Sequence, residues 1–156
     1  MRMSKFTKET AGQFYGEHKG KSFYGNLEQF ITSDVVVGME LVAEDAVGKW
    51  RELIGPTNTQ NAKAQAPKSL RALFGTDGTR NAVHGSDSQG SMKREVDFFF
   101  KGDTKNMKTS AINNNCSLAI IKPHIIKEGN AGLVIDQILA AGFEISAMEM
   151  FHLTRE

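Results

Sequence analysis

The chain opens MRMSKFTKE and closes MEMFHLTRE, and the two ends align: Met1 falls on Met148, Met3 on Met150, and Thr7-Lys8-Glu9 on Thr154-Arg155-Glu156. The offset, 148 − 1 = 147 residues, is about one domain length and hints at a repeated unit. Two copies of one strand compete for one place in one sheet, so each copy is expected in a domain of its own. At 156 residues the chain has room for one ordinary domain, or for a domain plus part of another.

Charge and cysteine usage exclude several function classes. Lys+Arg at 19 against Asp+Glu at 18 gives a net charge of +1, so no overall field draws the chain to nucleic acid or to an anionic membrane. The single cysteine, Cys116, forbids an internal disulfide and suits a reducing cytosolic compartment; it reads as a small buried strand residue. The start MRMSKFTKET has no apolar signal region, and LVIDQILAAG is too short to span a bilayer, so a soluble protein is expected.

The elements alternate in type. Residues 8–19 read as a helix. Ser22 reads as the cap of a second, carrying Phe23, Leu27, Phe30 and Ile31 on one face. DVVVGMEL (34–41) is β-rich. In EDAVGKWRELIGP, Asp45 can cap a helix that Gly55-Pro56 ends. TNTQNAKAQAPKS (57–69) has no apolar period and predicts a surface loop before the short helical LRALF. NAVH has the length of a brief buried strand, and Asp87 or Ser88 can cap a helix placing Met92, Val96 and Phe99 on one face. KGDTKNMKTSAINN (101–114) has linker composition. Beyond it CSLAIIK reads as a buried strand, NAGLVIDQILAAG as a helix with Gly142 at its C-cap, and FEISAMEMF as a half-buried strand with Phe143, Ile145 and Ala147 on one face.

Chemistry concentrates in RNAVHGSDS (80–88). His84 ends an apolar run and is followed by Gly85, where backbone can approach a ligand, and then by Ser86, Asp87 and Ser88 at a helix start. A neutral imidazole is a nucleophile at pH 7, and a carboxylate on its other nitrogen fixes the tautomer and stabilises the charge that develops on attack. Glu95, in the following helix, is the candidate. His18, His84, His124 and His152 show no metal-ligand spacing.

RNAVHGSDS, with LRALFGTDG before it and a KREVDFFF helix after it, resembles the active-site region of nucleoside diphosphate kinases. That resemblance implies that His84 carries the transferred phosphate, with Glu95 orienting it and Ser86 supporting the pair. FYGEHKGKSFYGNL resembles the family's nucleotide-binding helical hairpin, implying Tyr15 beside the histidine and Phe23 as the platform on which the base stacks. WRELIGPTN implies phosphate contacts from Arg51 and Thr57, and Arg71 and Asn81 fall on the remaining phosphate and ribose contacts. CSLAIIKPHIIKEGN resembles the start of the same domain and implies a phosphate-contacting Lys122, although the usual Lys-Pro-Asp-Gly reads Lys122-Pro123-His124-Ile125 here. The run from Thr57 to Arg71 is also a few residues longer than is usual in the family.

The resemblance implies an α/β (α+β) ferredoxin-like sandwich, with helices packed on an antiparallel sheet. It implies ATP or another nucleoside triphosphate as donor, nucleoside diphosphates as acceptors, and Mg²⁺ bound through the phosphates. Residues 1–101 look like the later two thirds of one such domain, 102–114 like a linker, and 115–156 like the opening third of the next, which sets Lys122 far from His84. The chain resembles a window cut from a tandem-domain member found with ciliary axonemes. That leaves two readings open: a phosphotransferase, or a structural component of the axonemal doublet microtubule that keeps the fold and meets microtubule proteins.

Overall fold

The computed structural model describes residues 1–101 and 110–154. Most of the linker read from composition, and Arg155 and Glu156 of the repeated end, lie outside the described residues.

The chain enters as β1 (Arg2–Lys5), which pairs antiparallel with β2 (Val35–Gly38) in the register Arg2↔Gly38, Met3↔Val37, Ser4↔Val36 and Lys5↔Val35. Between them α1 (Lys8–Phe14) starts at Thr7, whose hydroxyl accepts from the Thr10 N–H while Thr10 Oγ1 accepts from the Thr7 N–H. Such reciprocal capping satisfies two otherwise orphan donors. The helix expected over 8–19 ends at Phe14 and tightens into a 3₁₀ turn, Gly16–His18. Then comes α2 (Tyr24–Ile31), capped at Phe23 and not at Ser22, because a turn from the Lys21 carbonyl already takes the Tyr24 N–H at 3.0 Å.

Three helices follow β2: α3 (Ala46–Ile54), α4 (Thr59–Gln65) and α5 (Leu70–Phe74). Asp45 caps α3 by accepting from the Gly48 N–H, and Gly55, at φ 76°, ends it, as expected from sequence. The predicted surface loop at 57–69 is instead largely α4. Asn58 caps it, and the residues it buries are Thr59 and Ala62, too small and too polar to write an apolar period.

NAVH forms no strand; it is a turn described below. Next, α6 (Gln89–Val96) starts from Ser88, whose hydroxyl exchanges hydrogen bonds with Ser91, and widens into a π-helical turn over Asp97–Lys101. That turn delivers Phe98 and Phe99 to Phe6 and Phe14. The four rings lie 5.3 to 5.9 Å apart, mostly edge to face, and join β1, α1 and the end of α6 into one core.

Past residue 110 the described chain holds α7 (Pro123–Lys127) and α8 (Ala131–Ala140), with Gly142 at φ 86° just beyond α8. The predicted strand at 116–122 is not formed: Leu118 is 85 % and Ile120 73 % exposed, and Cys116 is exposed rather than buried. In FEISAMEMF only the end pairs. Arg2 bridges Glu149, the Met3 N–H donates to the Met148 carbonyl at 2.8 Å, and the Met150 N–H donates to the Met1 carbonyl at 3.2 Å. Phe143, predicted on the buried face, is 64 % exposed. Residues 1–3 and 148–150, the first three positions of the two matching ends, thus lie side by side along one sheet edge. Among the described residues no helix is long and apolar enough to cross a membrane.

Candidate active site

His84 is presented by a strained turn. The Val83 N–H bonds the Asn81 carbonyl at 2.9 Å across Ala82, whose φ is 71°. A γ-turn with a left-handed central residue is rare, and a β-carbon there costs roughly 1–2 kcal/mol, so surrounding structure must hold it. Arg71 does so. It is 7 % exposed; its Nε and Nη2 donate to the Val83 carbonyl at 3.3 and 3.0 Å, and its Nη1 donates to the Gly55 carbonyl at 2.9 Å and to the Thr57 hydroxyl at 3.4 Å. On the other side the His84 carbonyl accepts from the Trp50 indole N–H at 3.1 Å. Gly85 is required by closeness: a β-carbon there would stand 2.7 Å from the Trp50 ring and 2.9 Å from Ile54.

The His84 ring is itself 46 % exposed, and its Nε2 lies 2.8 Å from Glu95 Oε2. The same oxygen accepts from the Ser86 hydroxyl at 2.6 Å. Burial pushes the Glu95 carboxyl up, but hydrogen bonds from His84 and Ser86 outweigh it and hold the group below its ordinary value. An ionised carboxylate only accepts, so the facing Nε2 carries the hydrogen and the lone pair of a neutral ring stands on Nδ1.

Aromatic rings back this pair. Phe14 meets the imidazole edge to face at 5.4 Å and Tyr15 does so at 6.4 Å. Burial first, and the Glu95 charge second, push the Tyr15 phenol up to about 12. Tyr15 stacks on His18 at 5.9 Å, and His18 meets Phe23 edge to face at 5.7 Å. Phe23 is 49 % exposed, with the Lys21 ammonium 5.8 Å from its ring centre. A stepped aromatic path therefore runs outward from the imidazole to an open ring.

The remaining residues singled out from sequence divide into two groups. Thr57, Arg71 and Asn81 are brought together behind His84, where Asn81 Nδ2 also reaches the Thr57 carbonyl at 3.5 Å. Burial first, and the charge of Arg51, exposed on α3, second, push the Arg71 pKa down. Arg71 spends its donors on backbone carbonyls and on Thr57, so within this structure it positions the histidine turn. Lys122 caps α7 with its backbone and makes no side-chain hydrogen bond or ion pair among the described residues. Phe14 and Trp50 were not singled out from sequence as site residues. Trp50 had a readable signal, a lone tryptophan on the helix next to Arg51. Phe14 had none, since its role depends on where the ring at 84 comes to lie.

Among the described residues no group of three or more His, Cys, Asp or Glu gathers to hold a metal. Asp87, the carboxyl nearest the histidine in sequence, is held down by hydrogen bonds from Ser91 and Ser88.

The family model for nucleoside diphosphate kinase matches residues 1–104 and 115–156. The chain is 45 % identical over 157 aligned positions to nucleoside diphosphate kinase homolog 7 of Rattus norvegicus, covering 99 % of this chain and 40 % of that protein. It is 48 % identical to probable nucleoside diphosphate kinase 5 of Arabidopsis thaliana, over 64 % of this chain and 69 % of the relative. A crystal structure of the Aquifex aeolicus nucleoside diphosphate kinase superposes with a TM-score of 0.62 at 46 % identity, covering 64 % of this chain and 71 % of that one. The chain belongs to the nucleoside diphosphate kinase family, and its helices with a small antiparallel sheet have that family's α+β fold. It spans about 40 % of the length of the rat and mouse relatives.

Proposed function

We propose that the chain transfers the γ-phosphate of a nucleoside triphosphate to a nucleoside diphosphate through a phosphohistidine at His84. The observation that carries this reading is the 2.8 Å contact between His84 Nε2 and an ionised Glu95, which leaves Nδ1 as the nucleophile. In the first half reaction the Nδ1 lone pair forms a bond to the γ-phosphorus while the bond to the bridging oxygen breaks and the diphosphate leaves. The hydrogen stays on Nε2 and is donated to Glu95, whose charge stabilises the imidazolium, and Ser86 fixes the carboxylate's orientation. A second diphosphate then accepts the phosphoryl group by the reverse path.

Phe23, exposed at the end of the aromatic path, suits stacking of any base. Arg51, with Thr57, suits the phosphates, and Asn81 the ribose, while Arg71 acts on phosphate through the turn it holds. Mg²⁺ carried by the nucleotide would neutralise phosphate charge. We read residues 1–101 as the later part of one domain and 115–156 as the opening of the next, so Lys122 serves the site of that next domain.

Incubation with [γ-³²P]ATP tests the reading. Label should appear on His84, be lost in acid and kept in base. Label that survives acid, or persists in His84→Ala, overturns it.

A second reading, an interaction module on a ciliary axoneme in the cytoplasm, draws support from the apolar side chains left open beyond residue 110: Leu118, Ile120, Leu133, Phe143 and Leu153 are each at least 64 % exposed. Loss of axonemal attachment on replacing these residues by polar ones, with phosphoryl transfer unchanged, would favour it.

A further inference from the structure

β1 has two edges. One pairs with β2, and the other carries Met148–Met150, the segment that sequence alignment places on Met1–Met3. The bonds Met3 N–H to Met148 O and Met150 N–H to Met1 O run crosswise: Met1 meets the equivalent of Met3, Met3 meets the equivalent of Met1, and Arg2 faces Glu149, its own equivalent. That is an isologous contact, with a local two-fold axis through the Arg2/Glu149 pair.

On such an axis a residue of a homotypic pair faces itself. Both copies have methionine at the outer positions, and only the axial residue differs: arginine in one, glutamate in the other. Arg2/Glu149 is also the non-hydrogen-bonded kind of pair, in which the two backbones, and hence opposing side chains, come closest. Arg2 Nε and Nη2 both bond Glu149 Oε1, at 2.9 and 2.6 Å, and Nη1 donates to the Phe99 carbonyl at 3.1 Å. Two copies of β1 meeting in this register would set Arg2 against Arg2, and like charges directly opposite are destabilising.

We infer that the outer edge of β1 is a charge-coded docking strip: it accepts the repeat-equivalent segment Met148–Met150 of the same chain, because Glu149 lies on the axis, and rejects a second β1. The partner is thus chosen by one axial charge rather than by the apolar flanks, which are alike in both copies.

Hydrogen exchange on the full chain tests this. Arg2→Glu and Glu149→Arg each place like charges on the axis. Each should speed exchange of the Met3 and Met150 amides by about tenfold or more, while the β2 amides, which report the β1–β2 pairing, stay protected. The exchanged pair, Arg2→Glu with Glu149→Arg, should return both amides to the wild-type rate, although it does not restore the Arg2 bond to Phe99. Single variants without effect, or a double variant no slower than the singles, overturn the inference. So does wild-type protection of the Met3 amide that rises with protein concentration, because it reports pairing between copies.

Discussion

His84 Nε2 and Glu95 Oε2 lie 2.8 Å apart across eleven positions of sequence, and the hydroxyl of Ser86 reaches the same carboxylate oxygen at 2.6 Å. One oxygen thus receives two donors, so the imidazole hydrogen and the carboxylate are both committed before any nucleotide arrives. Glu95→Gln keeps the shape but replaces the charge. Transfer should slow by about 100-fold with KM little changed, since the charge matters only as the imidazolium develops. Steady-state kinetics of the variant checks it.

The same carboxylate ties stability to pH. Its pKa is lower in the folded state than the ordinary value of 4.5, so the unfolded chain binds the proton more readily in that range. The stabilisation is fully present above the ordinary value and is lost as pH falls through the lower folded one. Urea titrations across that range should show a shallower acid-side loss for Glu95→Gln than for the wild type. Equal slopes would mean that the bonds to His84 and Ser86 do not lower the carboxyl.

Gly85→Ala should destabilise by about 1–3 kcal/mol, because the added carbon meets the Trp50 ring and Ile54, both held in α3. Transfer should fall with it, as the Trp50 bond to the His84 carbonyl shifts. Thermal melts and kinetics on one preparation separate the two effects.

Arg71→Lys tests positioning against phosphate binding. A lysine keeps the charge but cannot fork to the Val83 and Gly55 carbonyls, and each carbonyl left unpaired costs about 1–3 kcal/mol. The expected result is a lower Tm and a lower kcat. A normal Tm with a raised KM would make Arg71 a direct phosphate contact.

Phe23→Ala should raise KM about tenfold for purine and pyrimidine nucleotides alike, since a ring face stacks on every base. A loss confined to one class would assign the base contact elsewhere.

Sequence carried the chemistry further than the architecture. Asp45, Gly55 and Ser88 were readable as helix ends because a cap is a local device, made by residues three or four apart. The His84–Glu95 partnership was legible from order, and the placement of Tyr15 beside the histidine through family resemblance. By contrast α4 hides, since Thr59 and Ala62 bury without writing a period. The strands read at 116–122 and 143–151 failed for another reason: alternation states what a segment can bury, and Leu118 and Ile120 meet no cover among the described residues. Ala82 was invisible as well, because nothing in its side chain announces a φ of 71°.

Gly38 lies at the end of β2, outside the hydrogen-bonded site, and any side chain there would begin 2.4 Å from the Phe99 ring. Phe99 packs on Phe14, and Phe14 packs on His84. A mutational screen scored on phosphoryl transfer should therefore return Gly38 among its hits, and a map of residues ranked by distance from the imidazole would misfile it as neutral. In this small core, sensitivity to substitution should follow the line of touching rings, so the sheet's far end should behave as part of the neighbourhood of His84.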